Sequence, residues 1–226
     1  MPGESSSSLR LVGFSAAILS TIGWVMFAVA GNPDLPPLSD PIARIDVLDS
    51  HTTSLLMYGW GGTLGALFTI PYMFAITYSA IQIGPHKWVA FIASAVGALL
   101  VANAFMGGAL SLVYQYVPTA LAEPELAAGY VLAVDAATNS FETSWFFGSF
   151  LAYSVAIAWI AGAALRTGTG PVWLNWVGLA GAFAGIVWLR LFVDALQSLE
   201  LVGSLLNIVL LSIWAIGMTF WLRRRT

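Results

Sequence analysis

The chain of 226 residues is 59% hydrophobic and only 8% charged, with a formal net charge of −3 at pH 7. Soluble domains contain about 25% charged residues, so this composition excludes an ordinary soluble fold and indicates a protein of the lipid bilayer. The lack of cysteine excludes disulfides, zinc–thiolate sites, iron–sulfur clusters and thiol nucleophiles, and no basic patch is present that would bind nucleic acid.

Continuous apolar runs of about 20 residues predict transmembrane helices, because that length crosses a hydrocarbon core of about 30 Å. Six such runs follow a short polar tail, residues 1–10, which we expect to be disordered. We therefore predict an all-α, polytopic membrane protein in which residues 1–226 form a single integral membrane domain, a six-transmembrane-helix bundle. The predicted spans lie near residues 11–30, 53–79, 88–114, 140–165, 172–195 and 203–222.

Residues within the spans predict how the helices pack. Pro71 is expected to kink the second span, since proline lacks the amide hydrogen that continues an α-helix. Gly61 with Gly65, and Gly181 with Gly185, form small-xxx-small pairs. Such pairs let two helix backbones approach closely, so we expect helix contacts at both.

The two long connections predict short amphipathic helices at the membrane surface. In residues 31–52, Ser39 or Asp40 can cap a helix whose first turn contains Pro41. The second connection precedes the fourth span and predicts a similar helix that starts near Glu123–Pro124. Four apolar residues of the first helix are expected to face lipid: Ile42, Ile45, Val47 and Leu48.

The basic residues predict the orientation of the chain. By the positive-inside rule, both termini lie in the cytoplasm and both long connections lie outside. Trp145 and Trp188 then lie near the outer boundary, which is typical of an aromatic belt. We expect a multi-pass protein of a bacterial or archaeal cytoplasmic (inner) membrane. Six of the eight basic residues fall in the tail, the even-numbered connections and the C-terminus: Arg10, Lys87, Arg166, Arg223, Arg224 and Arg225.

Polar residues gather in the outer half of the predicted bundle. Arg190 follows Val172 by 18 residues, which places it about 27 Å along the fifth helix, near the outer edge of the apolar core. At i and i+4, Arg190 and Asp194 are expected to form an ion pair on one helix face. That pair can serve as a structural anchor, a ligand contact or a catalytic group. The candidate ligand-binding pocket at the outer face comprises His51, Asn103, Glu142, Arg190, Asp194, Gln197 and Asn207.

The remaining polar groups argue against several classes of function. On the cytoplasmic side of Asn103 the spans contain no Asp, Glu, Lys, Arg or His. A proton or ion pathway needs ionisable or strongly polar side chains across the full depth of the membrane. His51 and His86 fall on opposite faces and cannot share a bis-His haem or a metal ion. Lys87 lies in a connection, which excludes a retinal Schiff base. We predict no catalytic residues, no metal site and no covalent, thiolate-metal or bis-His haem cofactor.

One segment has a recognisable layout. Residues 145–186 contain a helix that ends in a basic residue, a short turn with glycine, a proline and a glycine-rich helix; the matching positions are Arg166, Gly168, Pro171, Gly178 and Gly181. This layout resembles a family of small, uncharacterised bacterial six-helix membrane proteins that is classed only as a domain of unknown function. The resemblance implies a fold and no activity.

The sequence therefore favours a non-catalytic integral membrane protein. We expect either an accessory or structural subunit of a membrane complex or a binder of a lipophilic ligand. The expected partners are the lipid bilayer, other membrane subunits or a second copy of the chain, and a lipophilic small molecule, without nucleic acid. The alternative is a membrane enzyme, or an outward-facing small-molecule receptor or transporter, that uses the polar pocket near the external face.

Overall fold

The computed structural model describes residues 2–30, 36–37, 39–80, 83–123, 126–190 and 193–224, with the backbone alone for 2–6, 127–128, 134–140 and 194. The described residues form helices, turns and short connections, and contain no β-strand. A short 3₁₀ helix, Asp194–Leu199, precedes the last α-helix. The helices are α1 (Pro2–Ala30), α2 (Pro41–Ser50), α3 (Thr52–Leu67), α4 (Thr69–Ser79), α5 (Lys87–Ala122), α6 (127–167), α7 (Val172–Leu189) and α8 (Glu200–Arg224).

Five helices of the described chain are long and apolar enough to cross a membrane. This number and their composition fit a multi-pass membrane protein and confirm the all-helical prediction. The five segments are Ser7–Ala30, Lys87–Ala122, Phe141–Thr167, Val172–Leu189 and Ala195–Arg224.

The second predicted span is divided into two helices. α3 ends at Leu67 and α4 begins at Thr69, with Phe68 in a turn between them. The interruption lies just before Pro71, which cannot donate the backbone hydrogen bond back toward α3. Neither α3 nor α4 alone is among the helices long enough to cross a membrane.

The long helices form a closed ring in chain order. α1 packs against α3 and α4, and these two pack against α5. α5 packs against α6, α6 against α7, and α7 against α8, which returns to α1. The main core of buried apolar side chains lies inside this ring and includes Trp24, Met73, Ile157 and Trp214.

The predicted glycine contacts are confirmed. A Cβ atom on Gly61 would lie 2.6 Å from the backbone nitrogen of Phe27, so α1 and α3 meet backbone to backbone at this point. Gly65 leaves room for the ring of Trp24. On the other side of the ring of helices, Gly181 and Gly185 lie against side chains of α8.

Helix ends differ from the sequence prediction in three places. The described part of the polar tail, residues 2–10, is helical and belongs to α1. α5 extends to Ala122 through two π-helical turns, and the second turn ends at Tyr116, two residues before Pro118, whose missing amide hydrogen interrupts the normal α-helical ladder. Within the described residues the second long connection forms no separate helix, because residues 127–140 are the first part of α6. Pro124 and Arg225 lie outside the described residues.

The first long connection contains α2, which begins at Pro41. The Asp40 side chain accepts a hydrogen bond from the Ala43 amide at 3.2 Å. Ile45 and Leu48 are buried against α3, α5 and α6, where they contact a small apolar cluster that includes Leu55. The expectation that these two residues face lipid is therefore wrong, because α2 lies over the end of the bundle and its apolar side covers protein.

Candidate functional site

A charge cluster lies where α6, the segment after α7, and α8 meet. Arg190 Nη2 donates a hydrogen bond to Glu142 Oε1 at 3.0 Å, and Arg190 Nη1 donates to Glu200 Oε2. The three side chains are partly buried, at 22%, 34% and 31% exposed for Arg190, Glu142 and Glu200. We call Glu142, Arg190 and Glu200 the charge cluster; it contains two acidic side chains for one basic side chain.

Helix geometry determines the position of the arginine in this cluster. Glu142 and Phe146 lie at i and i+4 on α6, so they share one face of that helix. The Arg190 guanidinium carbon lies 4.4 Å from the centre of the buried Phe146 ring, which adds a cation–π contact to the ion pair. Glu200 is the first residue of α8, where the helix dipole favours an acidic side chain.

The predicted helical pair of Arg190 with Asp194 does not have the expected backbone. The α-helical part of α7 ends at Ala184, a 3₁₀ turn covers Gly185–Leu189, and Val193 is extended. An i, i+4 contact on one helix face requires a continuous α-helix. The Asp194 side chain lies outside the described residues, and the recorded partners of Arg190 are Glu142 and Glu200.

The other predicted site residues are dispersed. His51 is exposed at the junction of α2 and α3, where its Nδ1 atom lies 2.8 Å from the carbonyl oxygen of Val47. Asn103 on α5 and Gln197 in the 3₁₀ helix are also exposed. The structure thus brings Glu142 and Arg190 together, and among the described residues no hydrogen bond or ion pair joins these three exposed side chains to that pair.

The Asn207 side chain makes two hydrogen bonds between helices. It is buried, its Oδ1 atom accepts a hydrogen bond from Trp188 Nε1 at 3.2 Å, and its Nδ2 atom donates to the carbonyl oxygen of Gly181 at 2.8 Å. Both bonds join α7 to α8. Asn207 therefore satisfies the indole of Trp188, which in turn packs against Trp145 beside the charge cluster.

Four aromatic rings from four helices meet next to the charge cluster. Phe27 of α1, Tyr58 of α3, Phe105 of α5 and Trp145 of α6 make all six possible pairwise contacts, with ring centroids 4.7–6.4 Å apart. We call these residues the aromatic cluster. The prediction that Trp145 and Trp188 belong to an interfacial belt is wrong: Trp188 is buried, and both rings pack inside the protein.

Two cavities adjoin these clusters. The first, of about 210 Å³, is lined by Glu142, Phe105 and Gly108; the second, of about 300 Å³, is lined by Glu200 and Ser204. Both share Tyr58 and Trp145 as lining residues, so they lie side by side. We call them the Glu142 cavity and the Glu200 cavity. Among the described residues, neither cavity has a basic side chain in its lining, and the Arg190 guanidinium lies instead against the Phe146 ring.

Two donors at these cavities lack partners within the described part of the chain. Trp145 Nε1 and Ser204 Oγ are buried atoms without a hydrogen bond. Buried polar groups in proteins are nearly always paired, and unpaired ones point to a missing partner. A water molecule or a bound ligand with an acceptor atom would supply it.

A separate polar seam crosses the middle of the bundle. Thr69 Oγ1 donates to the Gly65 carbonyl at 3.0 Å and lies 3.2 Å from the Tyr153 hydroxyl, while Ser20 Oγ donates to the same carbonyl at 2.7 Å. A cavity of about 20 Å³, lined by Ser20, Tyr153 and the unpaired hydroxyl of Ser149, adjoins this seam. That volume and polarity suit one water molecule, so the seam is a packing feature.

No group of three His, Cys, Asp or Glu side chains suited to a metal ion occurs among the residues that the structure describes. Comparison of this chain with known protein families, with curated proteins and with solved structures gives no match. The features of the molecule that can support a function are therefore the charge cluster, the aromatic cluster and the two cavities.

The sequence prediction missed the aromatic cluster and left Glu200 out of the candidate pocket. The four rings come from four helices and share no local motif, so only the packed structure brings them together. Glu200 did carry a signal: it is an acidic residue directly before the apolar run of the last helix, within ten residues of Arg190.

Proposed function

We propose that this chain is a multi-pass protein of a bacterial or archaeal cytoplasmic membrane that binds a lipophilic small molecule and does not itself catalyse a reaction. The site is the pair of cavities beside the charge cluster. The observation that carries this proposal is that the two cavities share Tyr58 and Trp145 and that each is lined by one carboxylate of the described residues.

The shape and chemistry of the cavities support a ligand of modest size. Ligand sites are concave and mainly apolar, with a few polar groups that fix orientation, and span about 300–1,000 Å³. The Glu142 and Glu200 cavities, at about 210 and 300 Å³, together fall in this range. Their unpaired donors, Trp145 Nε1 and Ser204 Oγ, would orient the occupant.

The membrane topology in this proposal has six crossings. α3 and α4 together form the second crossing, since both pack against α1 and α5. With basic side chains such as Arg10, Arg166 and Arg223 on the cytoplasmic side, both termini are cytoplasmic and the two cavities open toward the external half of the bilayer. The resemblance of residues 145–186 to a family of six-helix membrane proteins stays a prediction.

An accessory subunit of a membrane complex is the second candidate. A groove of about 710 Å³ between α6 and α7 is almost entirely apolar, and Trp176 and Phe183 lie exposed along it. A helix of another subunit, or of a second copy of the chain, would pack against this surface. A stable complex with a second chain in gentle detergent would favour this candidate.

The test of ligand binding uses a side chain that fills one cavity. A Cβ atom on Gly108 meets no atom within 4 Å, and this residue lines the Glu142 cavity, so Gly108→Phe places a ring in the empty space. Gly129 on α6 also has open space around it but is exposed and lines neither cavity, which makes Gly129→Phe the matched control.

The measurement is native mass spectrometry of protein released gently from its membrane. Wild type and Gly129→Phe are expected to carry the same bound small molecule, and Gly108→Phe is expected to lose it. A wild-type protein of bare mass would contradict the proposal. An adduct that Gly108→Phe retains would also contradict it.

A further inference from the structure

We propose that the molecule bound in these cavities is an organic cation, an amine or quaternary ammonium with an apolar body. The inference rests on the proposed function and adds the charge of the ligand. It follows from the position of the charges relative to the cavity walls and from the rings that line them.

The charge balance at the cavities is negative. Glu142 and Glu200 each line one cavity, while Arg190, their common partner, lines neither. Arg190 uses one oxygen of each carboxylate, Oε1 of Glu142 and Oε2 of Glu200. Among the described residues, the second oxygen of each carboxylate has no recorded hydrogen bond and stays available to a cation.

The aromatic rings supply the second half of the recognition. Tyr58 and Trp145 line both cavities, Phe105 lines the first, and Phe27 and Trp188 line the second. Aromatic faces attract ammonium groups, and several such faces around a carboxylate form the usual setting for quaternary ammonium ligands. A cation forms an ion pair with a carboxylate, whereas a neutral ligand can at most donate a hydrogen bond to it, and an anionic ligand would be repelled.

The protein already shows this chemistry with its own cation. The guanidinium of Arg190 sits between two carboxylates and lies 4.4 Å from the centre of the Phe146 ring. An ammonium group in either cavity would meet the same pair of interactions, one carboxylate and one or more aromatic faces. The unpaired Trp145 Nε1 and Ser204 Oγ would donate to an oxygen elsewhere on the ligand.

The test compares probes of one shape and different charge. Phenyltrimethylammonium is the cation, tert-butylbenzene is its neutral isostere, and benzenesulfonate is an anion of similar size. Binding to the full chain is measured by equilibrium dialysis in dodecyl maltoside, because this detergent is uncharged and carries no ammonium group that would compete with the probe. Micelles without protein correct for partition of the probes into detergent.

We expect phenyltrimethylammonium to bind at least about tenfold more tightly than its neutral isostere, and benzenesulfonate to show no saturable binding. Equal binding of the cation and the isostere would overturn the inference while leaving the proposed function intact. If no probe binds saturably and no molecule co-purifies, both fail. A neutral or anionic molecule found on the native protein also overturns the inference.

Two natural sources can supply such a cation, a free amine or the choline head group of a lipid. Short-chain phosphatidylcholine and short-chain phosphatidylglycerol, added separately, distinguish them. Displacement of phenyltrimethylammonium by the choline lipid alone assigns the site to a lipid head group. Failure of both lipids to displace it assigns the site to a free organic cation.

Carboxamide variants test the role of the carboxylates. Glu142→Gln and Glu200→Gln are each expected to weaken binding of phenyltrimethylammonium about tenfold without changing that of tert-butylbenzene. Glu123→Gln makes the same change at an exposed residue outside both cavities and should leave both affinities unchanged. Parallel loss of both probes would indicate a collapsed site and overturn the assigned roles. The comparison of isosteres on wild-type protein does not require these variants to fold.

Discussion

Arg190 and Glu142 are 48 residues apart in sequence, and their side chains meet at 3.0 Å, from Nη2 to Oε1. This contact joins α6 to the segment after α7, and the second bond of Arg190, to Glu200, extends it to α8. The arginine therefore acts between helices and does not simply close a turn of its own helix. Because the carboxylates also form cavity walls, the same contact that holds three helices together positions the polar groups of the candidate site.

Replacing Arg190 should destabilise the bundle. Arg190→Met keeps much of the side-chain length but leaves two partly buried carboxylates close together without their cation. We expect the free energy of unfolding to fall by about 1–3 kcal/mol. Thermal unfolding in detergent measures this change. Arg166→Met, at an exposed arginine near the other end of α6, is the control and should change the midpoint little. An unchanged midpoint for Arg190→Met would show that the charge cluster has no structural role.

Asn207 should stabilise the fold mainly through its hydrogen bond with Trp188. Asn207→Leu removes both hydrogen bonds of the side chain and leaves the buried indole N–H of Trp188 without a partner, so we expect a loss of about 1–2 kcal/mol. Adding Trp188→Phe removes the unpaired N–H, and the double variant should lose less than the sum of the two single variants. Asn103→Leu applies the same change to an exposed asparagine and should have little effect. Strict additivity of the two single variants would refute the coupling.

Gly61 should tolerate no side chain. In Gly61→Ala the new Cβ would lie 2.6 Å from Phe27 N and 2.8 Å from Gly23 O, and backbone atoms cannot move aside as a flexible side chain can. We expect separation of α1 from α3 and a loss of about 1–3 kcal/mol. The midpoint of thermal unfolding and the yield of monodisperse protein report this loss. Gly108→Ala, where the added atom meets open space, should behave like wild type. Equal behaviour of the two variants would contradict the close contact.

The crossing formed by α3 and α4 can be tested by labelling. The chain has no cysteine, so a single introduced cysteine is the only residue that a thiol label can modify. Ser50→Cys precedes α3 and His86→Cys follows α4, and both positions are exposed. A membrane-impermeant maleimide should label Ser50→Cys in intact cells and His86→Cys only after permeabilisation. Labelling of both from the same side would show that α3 and α4 do not cross the membrane together.

Much of the helical architecture could be predicted, because membrane helices follow directly from the length of apolar runs. The break at Phe68 and the π-helical turns of α5 could not be located. A proline predicts that the helical hydrogen bonds are disrupted, but it does not predict whether a break, a kink or a π-helical turn results. The extension of α6 back to residue 127 was also missed. Residues 127–140 mix apolar and polar side chains and contain no proline. The local sequence therefore has no signal that would end a helix between them and the fourth span.

For the candidate site too, the sequence predicted what depends on spacing along a helix and missed what depends on tertiary packing. Depth along a helix was enough to place Glu142 and Arg190 at a similar level, because rise per residue is constant. It could not decide which face each helix turns inward, and so it grouped exposed Asn103 and Gln197 with them. The aromatic cluster depends on helix rotation and packing alone, which no spacing within a single span encodes.

The most direct test of the central claim is an experimental structure of the wild-type protein purified from its native membrane without delipidation. We predict non-protein density in the Glu142 or Glu200 cavity, in contact with the rings of Tyr58 and Trp145 and with a positively charged group beside a carboxylate. Cavities closed by rotation of those rings, or density that contacts neither carboxylate nor ring, would contradict it.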